Sequence, residues 1–501
     1  MDFIFYLTLF LFILLFGTLH IEIDFDFFAR LIVGKSYFQT GTLFNQDFYS
    51  YGTTHNFIDH EWGSSLIFYL IQNYLGDVGL FCFKSIIIFL TLYIITRAIR
   101  LKDKDVKLNF LFFFFALQSI SYNIFSTIRC QTFSFLFFVL FFYILLLVKK
   151  TKNYKILWCL PILNIAWANL HGGFVLGFAL IALFIIGEFL NKNKDFAKHL
   201  SIIFIATILS SLINPYGINY LSFIFEAFKL NRIHITEWQS AFLNKNYIFS
   251  LVKFKLFFIA TILLFLYSII KNIKTSTKID KTKYLVLFFI MLITLKAQRC
   301  HVFFTYSVLI LCYCDFYNIF NKKLPILADK IKEFVLFGII LASAIIHFFE
   351  YKFINIVSNI NYPIYAVEFI KQNDLKGNVF TMFHTGSYVA YKLYPDNLVF
   401  MDGRYEEVYN TDLINQMGKF FLAQDNGKLL KNYHHDILIL DKSYPIAKVM
   451  KTDKDWFLAY EDEKHSLFLP AKLKNKKFIQ PTKNQNYYNQ TKFNTSIDWQ
   501  K

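Results

Sequence analysis

Charge is scarce in this chain, and acid is scarcer still. Only 17% of the 501 residues are charged, and 35 acids stand against 52 lysines and arginines; soluble domains carry about a quarter charged residues. With 56% hydrophobic and 20% aromatic residues, gathered in apolar runs of spanning length, the composition excludes an ordinary soluble domain. It indicates a polytopic membrane protein. Cysteines number six (Cys82, Cys130, Cys159, Cys300, Cys312 and Cys314). All lie in or beside apolar runs, without paired-ligand spacing, which leaves them as small buried side chains. Also missing are a nucleophile elbow, a phosphate-cradling glycine loop and any Cys/His metal spacing. The N-terminal stretch MDFIFYLTLFLFILLFGTLH lacks a basic leader and a small-x-small cleavage site, so it reads as a retained first span.

What is present is a ladder of apolar segments at roughly 3–20, 79–98, 108–124, 130–148, 155–170, 171–190, 199–214, 250–270, 283–298, 301–320 and 333–350, about eleven spans. The formal charge of +17 comes mostly from Lys and Arg in the short loops between spans. It speaks for topology rather than for a nucleic-acid partner. Loops at 97–107, 149–155, 192–198, 271–283 and 322–332 are basic, and the alternate set is much less so. The positive-inside rule makes the basic set cytoplasmic, with the N-terminus inside and everything after Tyr351 outside. Ile21–Trp62, Asn169–Gly173, Asn214–Ser250 and Lys296–His301 then share the outer face. The expected architecture is mainly α: a transmembrane domain over 1–350, a small extracytoplasmic α/β domain over 351–471, and a disordered polar tail over 472–501. In the outer domain, strands are expected at Asn378–Phe383, Leu398–Met401, Ile437–Leu440, Trp456–Tyr460 and Ser466–Leu469. Helices are expected at Ile364–Gln372, Ser387–Tyr394, Thr411–Leu422 and Lys428–Tyr433.

The outer loop 21–62 gathers Asp24, Asp26, Asp47, Asp59, His60 and Glu61 in a chain otherwise poor in acids. Phe27–Val33 reads as a short interfacial helix, and Glu61–Tyr74 as a second, broken at Gly76-Asp77 before the next span. Two carboxylates two residues apart at a span's outer end can put one group into a site and orient it with the other. A general base must reach the proton it removes and be ionised when it does so. Two solvated loop acids are the plain alternative, but the flanking phenylalanines hold the pair near lipid, where an idle charge is costly. His60 and Glu61 offer a second acid/base group, a metal ligand, or only the first turn of a helix. Such a His/Asp/Glu set is able to hold a divalent cation, but its spacing specifies no metal.

Arg129 and Arg299, at outer span ends, suit a lipid phosphate at headgroup depth; snorkelling or a helix-end ion pair is the structural alternative. His171, in an Asn-Leu-His-Gly-Gly turn, is a further candidate, with a turn-holding hydrogen bond as its bland role. Glu237 in the later outer loop is a weaker one. Asp402 and Arg404, within Phe400-Met401-Asp402-Gly403-Arg404, mark a strand end and a polar turn. That turn either touches a substrate or docks the domain onto the membrane part.

Taken in order, these residues resemble bacterial multi-span proteins of the GT-C glycosyltransferase class. The likeness is to a branch near the protein mannosyltransferases and the lipid A aminoarabinose and galacturonic acid transferases. The matching marks are Asp24-Phe25-Asp26-Phe27, then Asp47, Phe48 and Ser50, then His60-Glu61-Trp62. Later come Arg129-Cys130-Gln131, Trp167–Gly173, Asn214–Gly217, Glu237-Trp238-Gln239-Ser240-Ala241 and Phe400–Arg404. Cys130 and Ala241 stand where prolines are usual, and Phe27-Phe28 where a Trp-His pair is common.

The resemblance covers 1–470 and implies transfer of a sugar, with inversion, from a polyprenyl-phosphate donor to a periplasmic or lipid-linked acceptor (glycan, lipid or protein). It implies the outer face of a bacterial inner membrane, with membrane lipids as partners. Asp24 or Asp26, seconded by His60 and Glu61, would take the acceptor's proton. Arg129 or Arg299, with His171, would stabilise charge on the leaving phosphate, and Glu237, Asp402 and Arg404 would make lesser contacts with substrate. The rival reading is a transporter or flippase of a lipid-linked glycan. It calls for mid-membrane ionisable groups and internal repeats, and the spans offer only Lys84 and no repeat. A membrane sensor with an outer ligand-binding domain is a third reading, and it has no use for an acid-rich first loop.

Overall fold

The computed structural model describes residues 2–19, 22–52, 57–125, 127–229, 236–240, 242, 248–274, 279–321, 337–342, 362–404, 408–425 and 427–481. The chain divides into two compact units, Met1–Ile21 with Phe81–Glu350 and Glu22–Leu80 with Tyr351–Lys501.

The first unit is helical. Among the described residues, four helices are long and apolar enough to cross a membrane: Trp62–Lys102, which begins in the other unit, Gln131–Thr151, Gly172–Leu190 and Gln298–Tyr317. Over the other expected segments lie the helices Asp2–Leu19, Phe110–Ser119 with Ser121–Phe125, Cys159–Leu170, Lys194–Ser210, Ile248–Lys274 and Lys281–Lys296. The segment 333–350 lies outside the described residues except for 337–342. Phe12, Phe113, Phe138, Phe142 and Phe184 are buried between helices, while Ile162, Ile205, Leu256 and Phe288 point outward. An apolar exterior of this kind suits lipid as the solvent. The few charges inside are satisfied where they stand. Lys84 donates to the Phe125 carbonyl at 2.6 Å. Glu188, 1% exposed, accepts from Lys149 Nζ at 2.6 Å and from the Thr282 hydroxyl at 2.7 Å, as a buried carboxylate requires.

The second unit carries a five-stranded sheet of β1 (Gly377–Phe380), β2 (Asn397–Val399), β3 (Ile437–Asp441), β4 (Trp456–Glu461) and β5 (His465–Pro470). Its order is β2-β1-β3-β5-β4, with β1 parallel to β2 and β3, and β5 antiparallel to β3 and β4. Branched runs such as Ile437-Leu438-Ile439-Leu440 suit a strand buried on both faces. Helices Ile364–Gln372, Phe383–Leu393, Thr411–Phe421, Lys428–Asn432 and Pro445–Met450 complete the unit. The expected strand Asn378–Phe383 stops at Phe380, and the helix expected from Ser387 begins at Phe383. The reason is local: Thr385 N–H donates to Met382 O at 3.0 Å, closing the turn early. Gly386 leaves room for the Met401 carbonyl, which would be 2.0 Å from a Cβ there.

The largest difference from expectation concerns the first loop, which groups with the sheet and not with the spans of 1–350. Tyr49–Gly52 runs along the outer edge of β2. Val399 N–H donates to Tyr49 O (3.0 Å), Tyr51 N–H to Val399 O (2.9 Å) and Gly52 N–H to Phe400 O (3.0 Å), which covers an otherwise open sheet edge. Gly52 is needed for that approach, since a Cβ would lie 2.4 Å from Phe400 O. Val33 and Phe57 enter the same core as Phe380, Phe400, Phe420, Leu438 and Phe468. The expected helix Phe27–Val33 extends to Thr40. Phe28 packs it against the rings of Tyr362, Tyr388 and Tyr391. The helix from Trp62 is interrupted at Gly76 (φ 62°, ψ −158°), a conformation that glycine adopts readily. Of the tail, residues 472–481 are described, and Ile479 exchanges hydrogen bonds of 2.7 and 2.9 Å with the Asn373 side chain. Residues 482–501 lie outside the described residues.

Candidate functional site

The two acids of the first loop play different parts. Asp24 is 7% exposed. Its Oδ1 accepts the Asp26 N–H at 3.0 Å, and its carbonyl accepts the Phe27 N–H at 3.0 Å, so it shapes the turn into Phe27–Thr40. Asp26 is exposed. Its carboxylate lies against Gly403, where a Cβ would sit 2.2 Å from Oδ1. Between them, Phe25 packs its ring 4.8 Å from His384 and 5.3 Å from Tyr362, and Ser387 Oγ donates to its carbonyl at 2.7 Å.

His60 and Glu61 adjoin a buried ion cluster that sequence reasoning missed. Arg30, 4% exposed, binds Asp59, 1% exposed, and its Nη1 is 3.5 Å from Glu61 Oε2. Glu61 N–H donates to Asp59 Oδ1 at 2.9 Å, and His60 Nε2 is 3.7 Å from Glu61 Oε1. The available signal was a lone arginine in the apolar run Phe27–Val33, which must find an acid when buried. Among the described residues, no group of His, Cys, Asp and Glu is arranged to hold a metal ion.

Asp402 and Arg404 are enclosed. Arg404 Nε donates to Asp402 Oδ1 and Oδ2 at 2.9 and 3.0 Å, and Nη2 donates to Asp47 Oδ2 at 2.8 Å. Its guanidinium lies 4.0 Å over Tyr49 and 4.8 Å over Phe57. Tyr49 and Tyr409 hydroxyls donate to Asp402 at 2.7 and 2.9 Å, and Ser50 donates to Asp47. Burial alone would push the Arg404 guanidinium down, but the Asp402 and Asp47 carboxylates overcome it and hold its pKa above the ordinary range. Two motifs more than 300 residues apart, Asp47-Phe48-Tyr49-Ser50 and Phe400–Arg404, are therefore halves of one device.

The helical unit holds the other candidates. Arg129 pairs with Glu237, and the Arg299 guanidinium lies 4.4 Å over the Trp238 ring, a cation–π contact. Burial pushes the Glu237 carboxyl up, but Arg129 and Arg299 outweigh it and leave its pKa below the usual range. The Gln298 N–H donates to Gln239 O at 3.0 Å, fastening the segment 236–240 to 298–300. His171, 9% exposed, accepts the Gly173 N–H at Nδ1 (2.9 Å). Ser134 Oγ lies 2.6 Å from the same nitrogen and accepts the Trp167 Nε1–H at 2.7 Å. Donor counting puts the Ser134 proton on Nδ1 and the imidazole proton on Nε2. Gly173 has no alternative, since a Cβ would lie 2.4 Å from Ser134 Oγ. The Asn214–Gly217 turn joins the same structure. Asn169 Nδ2 donates to Ile213 O at 2.8 Å, and the Tyr220 hydroxyl donates to Ala168 O at 2.7 Å.

The architecture is mainly helical, with several apolar helices and a small five-stranded α/β unit, and solved membrane proteins share its fold. The chain is similar to the archaeal oligosaccharyltransferase AglB from Archaeoglobus fulgidus in complex with an inhibitory peptide and a dolichol-phosphate, at a TM-score of 0.55 and 10% identity over 87% of this chain and 69% of that one. It is also similar to ArnT from Cupriavidus metallidurans bound to undecaprenyl phosphate, at a TM-score of 0.54 and 10% identity over 92% of this chain and 97% of that one. No family model matches the sequence, and no curated protein does. At such identity the likeness establishes the fold.

Proposed function

We propose that this chain transfers a sugar, with inversion, from a polyprenyl-phosphate donor to a hydroxyl-bearing acceptor, and that Asp26 is the base. The observation that carries the reading is the unequal pair on a GT-C-like fold: Asp24 is buried and shapes the turn, while Asp26 is exposed beside Gly403. In the reaction, the acceptor oxygen attacks the anomeric carbon, its proton passes to Asp26, and the bond from that carbon to the phosphate oxygen breaks. Polyprenyl phosphate leaves with the electron pair. A well-placed base contributes about 10²–10⁴-fold to such a step.

Arg129 and Arg299 supply positive charge for the leaving phosphate, with Glu237 and Trp238 fixing their side chains and His171 fixing the neighbouring turn. Asp402 and Arg404 lock the first loop to the sheet, and His60 and Glu61 support Arg30. The bound lipids named for the two similar structures, a dolichol-phosphate and undecaprenyl phosphate, favour a lipid-carried donor. The reading puts the reaction at the outer face of a bacterial inner membrane, with the α/β unit in the periplasm.

The test compares glycolipid and glycan masses in wild type, a deletion strain, and strains carrying Asp24→Asn or Asp26→Asn. One sugar residue should vanish from the deletion and from Asp26→Asn. A deletion that changes no glycan would refute the function. A sugar lost in the deletion yet kept in Asp26→Asn would refute the base.

A further inference from the structure

The helical unit holds a cavity that none of the roles above uses. It is an open groove of about 460 Å³, within the range of small-molecule sites. Leu190 lines it from the helix Val175–Leu190, Ile269 from Ile248–Lys274, and Tyr284, Leu285 and Phe288 from Lys281–Lys296, with Lys281 as the charged member. Gly187 lets the first and third of these helices touch, since a Cβ there would lie 2.4 Å from Thr282 Oγ1. Outward-facing side chains carry the apolar surface onward from the groove. Ile186, one turn before Leu190, is 51% exposed, and Leu292, one turn after Phe288, is 47% exposed.

One end of this apolar track is polar and fixed in place. The Lys281 N–H donates to Asn191 Oδ1 at 3.0 Å, while Asn191 Nδ2 donates to Asp280 Oδ1 at 3.0 Å and to Thr282 Oγ1 at 3.1 Å. The Lys281 ammonium donates to the Leu190 carbonyl at 3.1 Å, which holds it between two helix ends. An ammonium carries three protons, so a phosphate oxygen can be bound without giving up that carbonyl. The acids at this end, Asp280 and Glu188, are both bound to Lys149, at 2.9 and 2.6 Å. Lys192 and Lys194 are exposed on the adjoining turn. Segments 188–198 and 271–283 together hold eight lysines and three acids, and the positive-inside rule puts such an end toward the cytoplasm.

We infer that this groove binds an anionic phospholipid of the cytoplasmic leaflet, with an acyl chain along Leu190, Leu285 and Phe288 and the headgroup phosphate on Lys281. Basic pockets between membrane helices on that side take anionic headgroups, and the apolar walls suit a hydrocarbon chain. A polyprenyl phosphate has the same two parts, but position separates the two lipids. Arg299 follows the opposite end of Lys281–Lys296, whose ends are about 22 Å apart at 1.5 Å per residue. The groove therefore belongs to the other membrane face from the charges assigned to the donor phosphate. This inference does not rest on the transfer reading.

The test is native mass spectrometry of the full chain in detergent micelles with added phosphatidylglycerol, phosphatidylcholine or undecaprenyl phosphate. Wild type should retain phosphatidylglycerol about tenfold more tightly than phosphatidylcholine. Lys281→Gln should lose about fivefold in phosphatidylglycerol affinity, the share of one lysine near an anionic lipid, with phosphatidylcholine unchanged. Lys281→Arg should keep the wild-type preference, and Leu285→Trp, which fills the groove, should weaken both phospholipids. Equal retention of the two phospholipids by wild type overturns the site, as does an unchanged affinity in Lys281→Gln or the same loss in Lys281→Arg. Displacement of phosphatidylglycerol by undecaprenyl phosphate at equal concentration also overturns it, and assigns the groove to the polyprenyl lipid.

Discussion

Replacing Arg404 with methionine should release the first loop from the edge of the sheet. The guanidinium joins Asp402 and Asp47 with side-chain exposures of 2%, 0% and 0%, so its removal strands two carboxylates away from water. Breaking a buried pair by deleting one partner costs about 3–5 kcal/mol. Asp402 would keep the Tyr49 and Tyr409 hydroxyls at 2.7 and 2.9 Å, and Asp47 would keep Ser50, which favours the lower end of that range. Methionine also retains apolar packing on Tyr49 and Phe57 while losing the cation–π attraction. The amides to watch are those of Tyr51, Gly52 and Val399, which tie the loop to β2. If this edge opens as a local unit, about 3 kcal/mol corresponds to roughly a hundredfold faster hydrogen exchange. Amides of Gln131–Thr151 serve as an internal reference, since that helix belongs to the other unit. Adding Asp402→Asn to Arg404→Met should restore about 1–2 kcal/mol, because the two sites are directly coupled. Wild-type exchange at the three edge amides in Arg404→Met would refute the claim that this ion cluster holds the loop.

Two further outcomes follow from single contacts. Gly403→Ala should lower transfer about a hundredfold with little change in thermal stability, since its Cβ would displace Asp26 Oδ1 from 2.2 Å and a misplacement near 1 Å has that effect; glycan masses and a melting curve read the two quantities. Glu237 has its pKa depressed in the folded chain, where Arg129 and Arg299 overcome burial. Its contribution is therefore present above the unfolded value of about 4.3 and lost as pH falls through the folded one. The Gln298 amide should keep its protection at pH 5 and lose it only at more acidic pH; loss already at pH 6 would count against the pairing.

Much of this was legible in the residues, and the limits have physical causes. Apolar helices and strands declared themselves because hydrophobic period and length are local properties. The Gly76 interruption was visible for the same reason. What no local pattern revealed is that Tyr49–Gly52 becomes a neighbour of β2. That contact rests on three backbone hydrogen bonds and one glycine, and polar backbone atoms are alike in every sequence. Arg404 and Asp402 were visible as a motif, but whether they face a substrate or each other depends on Asp47 arriving from 357 positions away. Ser134 was missed because a serine in a phenylalanine-rich helix looks like filler until Trp167 and His171 converge on it.

The placement of the first loop has a consequence for how a membrane enzyme could hold a base at a lipid surface. A connection of this length between spans would ordinarily be among the more mobile parts of a chain, whereas catalytic groups must stay within about half an ångström of their working position. Here the stretch that carries Asp26 is immobilised from three directions within one unit. Asp24 fixes the backbone at Asp26 N–H, Ser387 holds the Phe25 carbonyl, and Gly403 receives the carboxylate itself. Ser387 and Gly403 belong to the helix and the turn that flank β2, so much of the loop's rigidity is borrowed from the elements around the sheet. It follows that weakening the sheet edge at Arg404 and crowding Asp26 at Gly403 should harm the same reaction by different routes. Arg404→Met should lose both rigidity and transfer, and Gly403→Ala transfer alone. A strain in which Arg404→Met loosens the loop yet leaves the glycan product at wild-type levels would show that the base does not depend on this scaffold.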